Sequence, residues 1–222
     1  MPTNLELHTT TDWPRIELNG PAPSFHATTT HGPLDFHQWK HGKWALLFSH
    51  PADFTPVCTS EFIALARRHD ELARRNVLLL GVSIDSVYSH IAWLRNIRER
   101  FGVDVEFPLV ADLDQHVARL YNMVHEPSSS TAAVRSVFVV DPRNLVRAIL
   151  HYPPTVGRNI DELLRLVDAL QTADAHGVSC PANWRPGEEV ILSPPLTQAA
   201  AAERATQAQP KAGDWYYVTK KI

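Results

Sequence analysis

Residues 43–62, KWALLFSHPADFTPVCTSEF, join an unbroken apolar run to a turn and then to the start of a helix. The first eight, Lys43–His50, have the length of a strand and show no polar alternation, so they predict a strand buried on both faces. Thr55 then offers an N-cap side chain, and Pro56 suits the first helical position, where its missing N–H is no loss. A helix is expected from Pro56 to Arg75, with Phe62, Leu65, Ala66 and Ala73 at helical spacing. A buried strand that turns straight into a helix is the unit of an α/β fold.

Working outward, APSFHATTTHGPLDFHQW upstream predicts a hairpin about a His-Gly-Pro turn. Downstream, NVLLLGVSID is a second buried strand, and SVYSHIAWLRNIRERFG is a helix that Gly102 would cap. FPLVAD is a third strand, and Asp112 with Gln115 resembles a capping box for a helix carrying Val117, Leu120, Tyr121 and Val124. VRSVFVVDP and LVRAILHY predict an antiparallel pair about a Pro-Arg-Asn turn. NIDELLRLVDALQTADAHG is a helix with Asn159 and Glu162 at its start. The order β, α, β, α, β, α, β, β, α implies parallel strands with right-handed crossovers and a late hairpin that mixes the sheet. This fits an α/β, thioredoxin-like mixed sheet flanked by helices. The expected organisation is a loose lead-in over 1–20, a domain over 21–177 and a C-terminal extension over 178–222. In the extension prolines recur, and an aromatic cluster, Trp215-Tyr216-Tyr217, needs a cover, for which a second subunit is attractive.

Bulk composition excludes several classes. The 222 residues are 44 % hydrophobic, enough for a substantial core, and the net charge of −3 gives no nucleic-acid footprint. No apolar run approaches the roughly 18 residues of a membrane span. The first residues lack the basic-then-apolar pattern of a secretory signal, and two cysteines are too few for a disulfide framework. Together these predict a cytoplasmic protein.

Helix numbering places Cys58 at the third helical position, where a capping box would carry Glu or Gln. The unpaired N–H groups of a first turn and the positive end of the helix dipole both favour thiolate over thiol. Buried cysteines are usually inert filler. The helix start at a strand's C-terminal end, where α/β ligand sites gather, points to a reactive one. Thioredoxin-type exchange normally needs Cys-x-x-Cys, but Thr55 and Glu61 flank Cys58 at that spacing. A hydrolase needs a histidine base, and proximity of His50 in sequence does not place its ring. A peroxidase needs only a thiolate, donors that hold the peroxide and a charge for the departing oxygen.

HPADFTPVCTSEF resembles the active-site signature of the peroxiredoxins, Pro-x-x-x-Thr-x-x-Cys, met by Pro51, Thr55 and Cys58. The wording DFTPVCTSE is similar to the 1-Cys, or peroxiredoxin 6-type, branch of the AhpC/TSA family. VLLLGVSIDSVYSHIAWL, FPLVAD, RSVFVVDP and TVGRNIDELLRLVDALQ carry the likeness along nearly the whole chain. The resemblance implies a thiol-dependent peroxidase that reduces hydrogen peroxide and organic hydroperoxides. It makes Cys58 the peroxidatic nucleophile, oxidised to sulfenic acid. It gives Thr55 the peroxide to hydrogen-bond, Pro51 the thiolate to shield, and Arg135 the O–O bond to polarise. Arg158 and Glu61 resemble the second arginine and the carboxylate that order this network, and His50 matches a position beside the pocket. A charge that opens so apolar a strand as Arg135 does asks for a reason, and Arg158 near a helix start asks for a carboxylate partner.

Cys180, in VSCPANWRPGEE, stands where the 2-Cys enzymes keep a resolving cysteine, although the signature and tail resemble the 1-Cys branch. Two routes follow: Cys180 of a partner subunit resolves the sulfenic acid, or an external thiol of thioredoxin, glutaredoxin or glutathione type does so. The resemblance further implies a homodimer or higher oligomer and no cofactor, nucleic acid or membrane. Lys43 and Arg143 stand where a phospholipase site found in some relatives has its serine and aspartate, so that activity is not expected. Twelve histidines raise a metal site, but His37 and His41 flank Gln-Trp-Lys and have no acidic or thiol ligands at metal-like spacing, so scattered surface histidines and no metal are expected. A redox-switched chaperone or peroxide sensor is the alternative function.

Overall fold

The computed structural model describes residues 15–207 and 214–222. The chain packs as two units that part between Arg158 and Asn159. The first is built on a seven-stranded mixed sheet. Its strands are β1 (His26–Thr29), β2 (Gly32–Asp35), β3 (Trp44–Ser49), β4 (Val77–Ser83), β5 (Leu109–Ala111), β6 (Arg135–Val140) and β7 (Val146–Tyr152). The spatial order is β2-β1-β5-β4-β3-β6-β7. β3, β4 and β5 run parallel, while β6 pairs antiparallel with β3 and β7 antiparallel with β6. The expected N-terminal hairpin is β1–β2, and its turn ends on Gly32 at φ +102°, a conformation that favours glycine.

Every residue of β3 and of β6 is buried, as the unbroken apolar runs require. The helices of this unit are α1 (Phe36–Lys40), α2 (Pro56–Arg67), α3 (His69–Arg74), α4 (Val87–Phe101) and α5 (His116–Leu120). α4 begins on Ser86, whose side chain accepts from Ser89 N, and ends on Gly102 at φ +64°. One apolar cluster gathers Phe25, Phe36, Tyr121 and Phe138 with Leu47, Leu80 and Val110. Fully burying such side chains stabilises by about 1.5–3 kcal/mol each.

Two expectations need correction. The helix over 56–75 is interrupted at Arg68 (φ −102°, ψ 4°) and restarts as α3. Asp70 and Glu71 then occupy the first turn of α3, where acidic side chains complement the dipole. The capping box at Asp112 and Gln115 does not form either. Asp112 instead accepts from Val117 N and Ala118 N at 2.9 and 2.7 Å, and Gln115 takes the N-cap position at φ +60°. α5 is five residues long and stops before Tyr121.

The second unit holds α6 (Ile160–His176), α7 (Gln198–Gln207) and a small antiparallel sheet. That sheet has the order β10 (Thr219–Lys220), β9 (Val190–Leu192), β8 (Val178–Ser179). Asn159 caps α6 by accepting from Glu162 N, and Gly177 ends it at φ +62°. Trp184 and Val190 are buried, whereas Tyr216 and Tyr217 lie exposed.

Candidate active site

The site lies at the C-terminal ends of the parallel strands. β3 ends at Ser49, the chain turns through His50–Phe54, and α2 starts after Thr55 in extended geometry. Pro56 fills the first helical position, so Cys58 sits in the first turn as expected. Because β6 runs antiparallel to β3, its first residue, Arg135, lies beside the end of β3. Sheet direction thus brings together two residues that are far apart in sequence.

Arg135 Nη1 donates to Cys58 Sγ at 3.2 Å and to Glu61 Oε2 at 2.7 Å. Its Nε and Nη2 both donate to the Pro154 carbonyl, which fixes the plane of the guanidinium. Glu61 is the carboxylate partner that Arg158 requires. Arg158 donates to it through its backbone N at 2.8 Å, through Nε at 2.9 Å and through Nη2 at 2.7 Å. Arg158 Nη1 also holds the carbonyls of Ser49 and Ser136, and its guanidinium lies 5.0 Å from the centre of the Phe48 ring. Burial alone would raise the Glu61 pKa, but the two arginines outweigh it and the carboxyl is held below its usual range.

Cys58, Glu61, Arg135 and Arg158 are all buried, the thiol completely. Two guanidinium groups and one carboxylate leave a single positive charge in this enclosure, and a thiolate neutralises it. Buried charge without a counter-ion is strongly unfavourable. The charge balance of the pocket therefore has room for one anion beside the two arginines, and an arginine N–H already lies on the Cys58 sulfur.

Thr55 occupies the N-cap position without capping. Its hydroxyl donates to Ala52 O at 2.9 Å, and Thr59 bonds back to the Thr55 carbonyl. With its own proton spent, the Thr55 oxygen offers lone pairs, so it can accept the O–H of a peroxide. Pro51 and Thr55 are half-buried, and Phe54 between them is exposed with φ +55°.

His50 is fully buried, as is His90 on α4, so the expectation of scattered surface histidines fails for these two. They flank Asp53, which sequence reasoning missed along with His90. His50 Nε2 lies 2.9 Å from Asp53 Oδ1, and His90 Nδ1 lies 2.8 Å from Asp53 Oδ2. Asp53 lies inside the quoted motif, three residues after His50, and that spacing was the available signal. Among the described residues this is the one cluster with the composition of a metal site, its ligand atoms lying within 4.8 Å of one another. Hydrogen bonds among the three already occupy those atoms. Cys180 lies in the second unit, a free thiol that donates to Ala169 O at 3.5 Å.

The chain that builds this enclosed thiol has known relatives. A model of the AhpC/TSA family matches residues 18–149, and a model of the C-terminal domain of 1-Cys peroxiredoxin matches residues 169–207. The chain belongs to the AhpC/TSA family of peroxiredoxins. A peroxiredoxin of Aquifex aeolicus is 48 % identical over 215 residues, covering 92 % of this chain and 96 % of that one. A peroxiredoxin of Thermotoga petrophila is also 48 % identical, over 94 % and 99 % of the two chains. Among solved structures, the yeast mitochondrial 1-Cys peroxiredoxin superposes with a TM-score of 0.83 at 41 % identity, over 94 % of this chain and all of that one. Peroxiredoxin 6 of Arenicola marina, solved as a cysteine-to-serine mutant, gives 0.82 at 32 % identity, over 94 % and 99 %. The fold is thioredoxin-like, as expected, and the chain is a thiol-dependent peroxidase. No helix among the described residues of this peroxiredoxin is long and apolar enough to cross a membrane.

Proposed function

We propose that Cys58 is the peroxidatic nucleophile for hydrogen peroxide and organic hydroperoxides. The observation that carries this reading is the Arg135 donor 3.2 Å from the Cys58 sulfur in a pocket whose charge a thiolate completes. The thiolate attacks the terminal oxygen of ROOH, so an S–O bond forms and the O–O bond breaks. Cys58 is oxidised to sulfenic acid, the peroxide is reduced, and the departing alkoxide or hydroxide takes up a proton. Arg135 offers charge to the oxygens as the O–O bond lengthens. Thr55 accepts a hydrogen bond from the peroxide O–H, Pro51 screens the sulfur, and Glu61 with Arg158 holds Arg135 in place. His50 follows β3 directly and packs against Phe62 of α2.

An external thiol of glutathione, glutaredoxin or thioredoxin type then displaces the sulfenic oxygen as water, and a second thiol reduces the mixed disulfide. Three observations support this route. The C-terminal match is to the 1-Cys branch. The work on the yeast relative describes thiol resolution through glutathione and thioredoxin systems. Burial also pushes the Cys180 thiol up, against the pull of Arg165, whose guanidinium is engaged by Glu162. The free thiols accord with a cytoplasmic setting. The exposed Tyr216, Tyr217 and Leu196 of the second unit support association into a homodimer or larger oligomer.

The test is intact-mass and non-reducing gel analysis after one equivalent of hydrogen peroxide, on the wild-type chain and Cys180→Ser. The expected result is a dimedone-trappable oxygen on Cys58 in both, with no disulfide-linked dimer. A disulfide dimer in wild type that vanishes in Cys180→Ser would make Cys180 the resolving thiol. An unmodified Cys58 would sink the reading altogether.

A further inference from the structure

β3 is apolar from Trp44 to Phe48, yet its last residue is a serine with no exposed surface. A buried hydroxyl needs partners, and those of Ser49 are the peptide groups on either side of Arg135. Its Oγ donates to the Val134 carbonyl at 2.6 Å and accepts from Ser136 N at 3.1 Å. Ser136 N also reaches the Val134 carbonyl directly, at 3.0 Å. Arg135 is thus the middle residue of a three-residue turn. Its φ is not positive, which makes this the inverse γ form common at strand ends. One hydroxyl closes over both ends of that turn.

The place of this clamp in the sheet gives it leverage. Register between β3 and β6 runs as far as Phe48 opposite Val137. Ser49 and Ser136 come next on their strands, and there side chains join the two. Arg158 Nη1 donates to both of their carbonyls, at 3.0 and 3.2 Å. Ser49 therefore carries Arg158 on its carbonyl and the Arg135 turn on its hydroxyl. On the loop side, Val134 N donates to the Met123 carbonyl at 2.8 Å. Glu61 and the Pro154 carbonyl hold the far end of the Arg135 side chain. Ser49 holds the backbone from which that side chain springs.

We propose that Ser49 is a positioning residue for peroxide reduction: its hydroxyl grips the turn centred on Arg135 and so aims the guanidinium at the Cys58 sulfur. The proposal rests on the assignment of the chemistry to Cys58 and Arg135. Peroxide turnover by the wild type and by Arg135→Met tests that assignment separately.

The experiment measures peroxide-reduction rates for wild type, Ser49→Ala and Ser49→Thr, each with and without Arg135→Met. Without the hydroxyl, Ser136 N and the Val134 carbonyl still bond each other across the turn, so Ser49→Ala should fold. Misplacing a reacting group by roughly 1 Å can cost about 100-fold in rate. Arg135 remains tethered by Glu61 and Pro154, so its smaller shift in Ser49→Ala should cost about tenfold. Ser49→Thr keeps the hydroxyl and should recover most of the rate. Beside Arg135→Met, Ser49→Ala should cost little more, because the group it aims is gone; independent effects would multiply. A Ser49→Ala protein as fast as wild type overturns the proposal. So does a loss that Ser49→Thr does not recover, or one that persists in full beside Arg135→Met, since either marks general packing. An Arg135→Met protein as fast as wild type would instead sink the assignment of Arg135, and the proposal with it. If Ser49→Ala does not fold, Ser49→Val against Ser49→Thr, alike in volume and different in the hydroxyl, decides the question.

Discussion

At the scale of single residues, the site depends on a sulfur that faces one guanidinium donor. Replacing Arg135 by Met keeps the stem and deletes the charge. A charge-assisted hydrogen bond is worth about 1.5–3 kcal/mol, so the second-order rate constant for hydrogen peroxide should fall roughly 10- to 100-fold in stopped-flow traces. Arg135→Lys should recover little, since an ammonium cannot hold the sulfur, Glu61 and the Pro154 carbonyl together as the planar fork does. Glu61→Gln leaves two guanidinium groups facing each other in a buried space. Breaking a buried pair costs about 3–5 kcal/mol, which should appear as a lower denaturant midpoint before any assay is run. Cys58→Ser should abolish peroxide turnover with the fold intact. Cys58, Thr55 and Pro51 were legible because their geometry is local: a strand end, a Thr-Pro pair and one helical turn. Arg158 was legible through its discomfort near a helix start, which forecast a carboxylate partner. Asp53 with His90 was not, because the pair joins positions 37 apart in sequence through a hydrogen bond that no periodicity reports.

At the scale of elements, α2 can sit over the sheet because β4 carries a glycine beneath it. A Cβ at Gly81 would meet Phe48 Cζ at 3.3 Å, Leu109 Cγ at 3.4 Å and Phe62 Cζ at 3.5 Å. Phe62 and Cys58 share a face of α2, so Gly81→Ala should push on the helix that carries the nucleophile. Overpacking of this kind costs about 1–3 kcal/mol, and both the thermal midpoint and the peroxide rate should drop. The sequence disclosed the strands and the long capped helices because apolar runs and Ser, Asn and Gly signals state their ends. It did not disclose the break at Arg68, where no Gly or Pro marks the interruption and Asp70 with Glu71 opens a new helix. Asp112 misled for a similar reason. Its carboxylate does satisfy helix N–H groups, but those of Val117 and Ala118.

At the scale of the whole molecule, buried ionisable groups set how stability responds to acid. Asp53 is held at about 2 against an ordinary 3.8. Its folded pKa is depressed, so its contribution is present above about pH 4 and is lost as pH falls toward 2. This is worth about 2 kcal/mol. Glu61 is depressed as well and acts in the same direction. His50, also depressed, is neutral when folded and takes up a proton more readily unfolded, so its contribution begins to fade below about pH 6.5. Calorimetry should therefore show a thermal midpoint that declines gently below pH 6.5 and steeply below pH 4. A flat profile down to pH 3 would contradict the buried network.

Cys58 has no solvent-exposed surface, whereas Cys180 is only half-buried. The two thiols should therefore keep different time with a bulky alkylating reagent such as a maleimide. Cys180 reacts on the folded chain, while Cys58 waits until the first turn of α2 frays. Labelling under native conditions becomes biphasic, and the slow phase is a clock for the opening of the pocket, read without any peroxide present.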